Sequence, residues 1–376
     1  MEFQLDHQDS KSRARAGTIR LNNREVSTPL FMPVGTIGSV KGIHQYELEK
    51  TLEAGLILNN TYHLFSRPGT DVIAGAGGLH NFIGWDGLIL NDSGGYQIFS
   101  LAQNAKIYED GVSFQSHIDG TPHFFTPEDI VDINREIGPD FMMALDECPP
   151  YPASHEYAES SMHLTHRWLD RSFEQYRNTS PHYGRDQVLF PICQGGTWKD
   201  LRKKSTEYIA NLNPDGFGIG GLSVGEPVEL LYEMTELACS VLPGDRPRYL
   251  MGVGTPANLL ECTARGIDMF DCVIPTREGR NGHIFTMNGH LNIHNQKWKY
   301  DFRAINDPPI TVLDQYYSRA YLRHLHKSKE MLGGQIASLN NLLVYFRLLK
   351  EARERILKDE FHQWYPEKVQ ELEKRL

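Results

Sequence analysis

Residues 91–100 read NDSGGYQIFS and follow the apolar run Leu88-Ile89-Leu90. This order sets a carboxylate, Asp92, at the carboxyl end of a short hydrophobic strand. Ser93 and the pair Gly94-Gly95 come next. An acid at such a strand end, beside backbone that a flat ligand can approach, is how many α/β enzymes build a site.

The arrangement recurs. Apolar runs of strand length occur at 30–34, 56–58, 88–90, 141–145, 188–193, 217–219, 249–253 and 269–274. They are nearly continuous rather than alternating, as expected for parallel strands covered on both faces. Helical punctuation lies between them. Thr126-Pro127 predicts a cap and first turn, with Ile130, Ile133 and Ile137 on one face and Gly138-Pro139 as the stop. Pro227 opens a second helix, with Leu230, Met234, Leu237 and Val241 on its inner face, and Thr255-Pro256 opens a third. Eight strands with crossover helices predict an α/β fold, a (β/α)8 TIM barrel. The doubly wound sheet is the competitor, but no GxGxxG follows the first strand. Ile19–Leu21, Asn22-Asn23 and Val26 predict an N-terminal β-hairpin cap over the barrel bottom. Beyond residue 275 the strand rhythm stops. A hairpin is expected over 282–293 and long helices over 316–358, a helical C-terminal subdomain. The expected division is 1–275 for the barrel with its hairpin and 276–376 for the remainder.

The 376 residues are 40% hydrophobic and carry a formal charge of -10. No apolar run is long enough to cross a membrane, and the first 17 residues lack an apolar signal core. The five cysteines show no CxxC spacing, so a reducing, cytoplasmic setting is expected. The negative total excludes indiscriminate nucleic-acid binding. Residues 272–350, however, hold eleven Lys or Arg against five Asp or Glu, a basic region suited to a polyanion.

In a barrel of this kind the site lies at the carboxyl ends of the strands. Those ends supply Asn59-Asn60, Asp92-Ser93, Asp146-Glu147-Cys148, Gln194-Gly195-Gly196, Gly220-Gly221-Leu222, Gly252-Val253-Gly254 and Asp271. No HExxH metal motif and no strand-end lysine for a Schiff base is present. Carboxylates with an amide and glycines suit hydrogen bonding to a flat heterocycle. Two separated carboxylates also suit displacement at an anomeric carbon, one attacking and the other moving protons. Tyr96 is placed to stack on the ring.

The segments NDSGGYQ, DECPP, QGG, GGLSVGE, MGVGTP and FDCVIPTREGRNG resemble the signature of bacterial tRNA-guanine transglycosylases, in that family's order and spacing, over residues 10–355. The resemblance implies exchange of the wobble guanine of GUN-anticodon tRNAs for a 7-deazaguanine in queuosine synthesis, without a cofactor. It implies that Asp271 is the nucleophile and Asp92 the general acid and base. It makes Asp146, Gln194 and Gly221, with Gly220 and Leu222 beside them, the base-recognition groups. Ser93, Tyr96 and Met251 would line the pocket. Cys148 and Val224 follow the bacterial pattern associated with the 7-aminomethyl base. Arg277, Arg280, Lys297 and Lys299 are the expected tRNA contacts, and a homodimer is the expected assembly.

One departure stands out. The family's structural zinc is held by CxCxxC and a later His, and those positions here are Pro309, Thr311, Asp314 and Asn340. A zinc-free subdomain is expected, with no metal site. Ile310, Val312 and Leu313 are expected to pack where the metal loop would be, and His324 and His326 to lie at the surface or face RNA. Two rivals remain open: a catalytically silent tRNA-binding subunit, and a nucleoside glycosyl hydrolase or transferase on the same barrel.

Overall fold

The computed structural model describes residues 1–101 and 103–376. Eight parallel strands form its centre: β1 (Leu30–Met32), β2 (Leu56–Asn60), β3 (Leu88–Asp92), β4 (Phe141–Met143), β5 (Val188–Phe190, resuming as Ile192–Cys193), β6 (Phe217–Ile219), β7 (Arg248–Leu250) and β8 (Met269–Asp271). Neighbours in sequence are neighbours in space. Pro191, lacking an N–H, divides β5, whose first half pairs with β4 and second half with β6. β8 returns to β1, with Met269 opposite Leu30. β1 and β2 meet just past the end of β1, through a Val34–Leu58 bridge and the bond from Gly35 N–H to Leu58 O. The eight-stranded circle is therefore complete, and the expected (β/α)8 fold holds.

Side chains alternate across each strand. Met32, Leu58, Leu90, Met143, Ile192, Tyr249 and Met269 fill the lumen. Phe31, Ile57, Ile89, Met142, Leu189 and Phe270 face the helices. Two residues beyond Leu58, Leu90, Ile192 and Met269 come Asn60, Asp92, Gln194 and Asp271. The same period that buries the apolar residues thus aims these polar ones at the mouth.

The bottom is closed as expected. Asn22 and Asn23 take φ of 51° and 59°, the turn a two-residue hairpin needs, between Arg15–Leu21 and Arg24–Thr28. Ile19, Leu21 and Val26 join the lumen layer with Leu56, Leu88, Phe141 and Val188. A third strand, Glu2–Gln8, pairs with Arg15–Leu21. It is mostly exposed, so its sequence carries no core signal. Also unforeseen is an antiparallel sheet of Gln103–Tyr108, Gly111–Gln115 and Pro122–Phe125, inserted after β3.

The helix caps follow the sequence. Thr126 and Thr255 each accept the N–H three residues on, and Asp129 and Asn258 reciprocate. One face differs from expectation. Helix Val228–Val241 buries Leu231, Met234 and Ala238, whereas Leu230, Leu237 and Val241 are only half-buried. Leucines at both 230 and 231 leave the stripe ambiguous by one residue. The expected hairpin is His283–Thr286 with Gly289–Asn292. The boundary expected at 275/276 falls inside helix Ile274–Arg280. Helix Met331–Leu357 packs on that helix so closely that a Cβ at Gly279 would sit 2.7 Å from Ser338 N. It also reaches the barrel, where Phe31 and Tyr345 meet edge-on and the Tyr345 hydroxyl donates to Gly254 O.

Arg15 fixes the cap to the barrel. Its guanidinium, 2% exposed, makes two bonds to the buried carboxylate of Asp268, beside the start of β8, and one to Gly244 O. Arg15→Met would leave Asp268 buried without its partner and is expected to cost about 3–5 kcal/mol in urea unfolding. An additional Asp268→Asn change is expected to restore part of that loss.

Candidate active site

Three carboxylates meet over the lumen. Asp271 ends β8, and its Oδ1 accepts the Tyr249 hydroxyl and the Gly252 N–H, each at 2.7 Å. Asp92 ends β3 and has weaker support, a 3.4 Å bond from Asn60 Nδ2. Asp146 follows β4, and its Oδ2 accepts Gln194 Nε2 at 2.6 Å. Thr61, Asn91 and Asn134 form a buried polar triad behind them. Thr61 Oγ1 donates to Asp92 O at 2.7 Å, which fixes the end of β3.

The three ionise unequally. Burial, then Asp146 and Asp271, push Asp92 up to about 7. Burial raises Asp146 to about 6, opposed by its bond from Gln194. Burial also raises Asp271, but the Gly252 N–H and Tyr249 hydroxyl pull the other way by stabilising the anion. Near neutrality one carboxylate is thus supported as an anion while another readily holds a proton. That division is what displacement with proton transfer requires.

The remaining expected residues surround this centre. Gly220 lies against Gln194 and Asp146, since a Cβ there would be 2.9 Å from Gln194 Nε2 and 3.7 Å from Asp146 Oδ2. Gly221 has a φ of 65°, and a Cβ would come within 2.3 Å of Gln194 Oε1, so only glycine fits. Ser93, Cys148 and Leu222 are buried or nearly so, Met251 is half-buried, and Tyr96 is 50% exposed at the rim. Burial lifts the Cys148 thiol to about 12, against the pull of the Gly221 N–H beside it, which leaves a neutral wall. Val224 borders a cavity of about 10 Å³ with Tyr151, Trp198 and Gly221. The Ser223 and Val224 N–H groups both donate to Glu226. Sequence reading missed Tyr249, Glu226 and the triad. Tyr249 reads as one more strand residue, and its signal is the two-residue step to Met251, which puts it on the lumen face.

Arg277 and Arg280 are exposed on helix Ile274–Arg280, close enough that Arg277 helps lower the Arg280 pKa. Lys297 and Lys299 are exposed on the turn Gln296–Tyr300, over the Trp298 and Tyr300 rings. Crowded cations of this kind favour an anionic partner.

Residues 9–374 match the profile of the queuine tRNA-ribosyltransferases. The chain belongs to that family. It is 47% identical to a queuine tRNA-ribosyltransferase of Caldanaerobacter subterraneus, over 96% of this chain and 94% of the relative. It is 48% identical to those of Ruminiclostridium cellulolyticum, over 92% and 91%, and Herpetosiphon aurantiacus, over 96% and 89%. Membership makes the chain a pentosyltransferase of tRNA modification. Among the described residues no helix is long and apolar enough to cross a membrane.

Thr311, Asp314 and Asn340, three of the four positions expected to replace zinc ligands, join Asn306 in a polar hub. The Asp314 carboxylate accepts the Asn306, Ile310 and Thr311 N–H groups, the Thr311 hydroxyl and Asn306 Nδ2, at 2.8–3.1 Å. Asn306 Nδ2 also reaches Asn340 Oδ1 at 2.8 Å. The expected apolar packing holds for Leu313, which is buried, and for Ile310, which is half-buried against the same core, but is corrected for Val312, which is 45% exposed. A buried carboxylate needs donors, and the loop wraps its N–H groups around Asp314 rather than its apolar side chains. With no thiolate or imidazole, and both carboxylate oxygens occupied, the set does not fit zinc. His324 is exposed, while His326 is half-buried against His294.

Holding a proton near neutrality has a consequence for stability. Unfolded Asp92 ionises near 3.8 and folded Asp92 near 7, so its cost to folding grows from the lower value and is complete above the upper one. Asp92→Asn removes that cost. The variant is expected to melt several degrees above wild type at about pH 8, with the difference vanishing near pH 4, by scanning calorimetry.

Proposed function

We propose that the chain exchanges the wobble guanine of GUN-anticodon tRNAs for 7-aminomethyl-7-deazaguanine, as a tRNA-guanine transglycosylase of queuosine synthesis. The unequal ionisation of the three carboxylates carries this reading. Asp271, supported as an anion by Tyr249 and Gly252, attacks the ribose anomeric carbon as the bond to guanine breaks. The bond's electron pair leaves with the base, and Asp92 supplies the neutralising proton. The incoming base gives its proton to Asp92 and attacks the same carbon, which releases Asp271. Asp146 receives the donor edge of the base, Gln194 and the Gly221 N–H its carbonyl, and Tyr96 and Met251 its faces. The wobble nucleotide must leave its stack to reach this depth. The barrel performs the chemistry, and residues 276–376 hold the RNA through Arg277, Arg280, Lys297 and Lys299.

The side chain of Val224, set beside Gly221 and half-buried, supports a small 7-substituent over a bulky one. The RNA-docking region holds together around Asp314 without zinc. The exposed Tyr316, Tyr321 and Met331 support a homodimer, and five unpaired cysteines accord with a cytoplasmic setting.

Three outcomes test this reading. Labelled guanine should enter an unmodified GUN-anticodon tRNA, and Asp271→Asn should abolish both entry and any covalent enzyme–tRNA adduct on a denaturing gel; unchanged exchange would contradict the nucleophile. A Val224→Gly variant should accept bulkier 7-substituted bases that wild type rejects. Chelator should leave the melting temperature unchanged, whereas Asp314→Asn should cost about 2 kcal/mol or more through its unmatched donors.

A further inference from the structure

Arg202 lies outside the groups assigned so far. It sits in the first turn of helix Lys199–Asn211, fully buried. Unlike Arg15, its oxygen partners are all backbone carbonyls: Cys193 O at 3.1 Å, Gly220 O at 2.8 Å and Gly196 O at 2.8 Å. Its Nε has no partner. Cys193 Sγ, at 3.6 Å, is its one other hydrogen-bond contact, so this buried guanidinium spends its donors on the backbone around Gln194 and Gly220 rather than on a carboxylate.

Its location gives that charge a use. Cys193 and Gly196 flank Gln194, and Gly220 begins the Gly220–Gly221 peptide. The same helix also binds Gln194 through Ser205 Oγ, which accepts the Gln194 N–H at 2.9 Å. A peptide is planar and trans, so its C=O and N–H point in opposite directions. Arg202 occupies the Gly220 C=O end, and the Gly221 N–H points the other way, toward the Cys148 sulfur on the wall of the carboxylate site. Donation to a peptide oxygen polarises the unit and strengthens its N–H as a donor, more so where water is excluded.

We propose that Arg202 is a positioning residue for base exchange, one that polarises the Gly220–Gly221 peptide toward the departing base. The inference rests on the transglycosylase reading above. As the C1′–N9 bond breaks and the Asp271–C1′ bond forms, the electron pair passes into the base and spreads to its carbonyl oxygen. The Gly221 N–H meets that oxygen. A donor that strengthens as charge develops lowers the barrier without tightening ground-state binding. Arg202 thus acts on the reaction through the peptide and touches no substrate itself.

The test compares Arg202→Lys and Arg202→Met with wild type. The Lys variant keeps the charge but reaches fewer carbonyls. For guanine exchange, kcat in Arg202→Met is expected to fall by about 10- to 100-fold, with the tRNA KM within about twofold. Arg202→Lys should recover part of the loss. With glycine-specific nitrogen-15 labelling, the Gly221 amide proton should move upfield in both variants. The kcat is taken per active site, counted by trapped covalent tRNA adduct, so that partial misfolding does not enter it. If Arg202→Met does not fold, Arg202→Lys alone decides. An unchanged kcat per active site, or an unshifted Gly221 amide, would overturn the proposal. A wild-type enzyme that exchanges no base would overturn the functional reading, and this inference with it.

Discussion

Three carboxylates share one water-poor mouth, all raised above the usual carboxylate range, and the rest of the molecule keeps them there with unequal hydrogen-bond support. Bringing Asp92, Asp146 and Asp271 together is unfavourable twice over, through lost hydration and mutual repulsion. The barrel tolerates this because its other layers are dense. The lumen beneath is filled by alternating apolar side chains, and the bottom is closed by the N-terminal sheet and the Arg15–Asp268 pair. Strain at the top is set against cohesion below, the usual relation between a site and its scaffold.

Hydrogen bonding distinguishes the carboxylates to which the proposal gives different roles. Asp271 has two short donors from β7 and the loop after it, whereas the Ser93 N–H and a 3.4 Å bond from Asn60 do not offset the burial and repulsion that raise Asp92. The difference follows from local sequence. Tyr249 lies on the lumen face of the strand beside β8, and the turn at Gly252 turns its N–H back toward Asp271, the proposed nucleophile. The base-recognition side is braced in a comparable way from helix Lys199–Asn211, whose Ser205 and Arg202 hold the backbone around Gln194 and Gly220. The C-terminal helices belong to the same scaffold, because helix Met331–Leu357 packs on helix Ile274–Arg280 and on β1.

Much of this was legible in the chain. The eight strands were readable because parallel strands covered on both faces leave continuous apolar runs, and the mouth was readable because polar residues end those runs. The resemblance to the transglycosylases supplied the roles, and family membership bears out the activity class. What escaped notice shares a physical cause. The strand Glu2–Gln8 lies largely at the surface, where burial leaves little pattern, and the sheet inserted after β3 buries only a few scattered residues, Val112, Phe114 and Phe125, between exposed ones. Tyr249 is a buried polar residue inside an apolar strand and Arg202 one cation among several in its helix, and only their hydrogen-bond partners set them apart. The Asp314 hub escaped for the same reason. Its Ile-Thr-Val-Leu surroundings read as an apolar plug, while the structure shows backbone N–H groups converging on one acid.

The unequal ionisation of Asp92 and Asp271 can be measured directly by carbon-13 NMR of side-chain carboxyls in aspartate-labelled protein, assigned by comparison with Asp92→Asn and Asp271→Asn. The account predicts that Asp92 titrates near 7 and Asp271 below it, so that an anionic nucleophile and a protonated acid coexist near neutrality. The reverse order, or two carboxyls already ionised well below pH 7, would contradict the assignment of their roles.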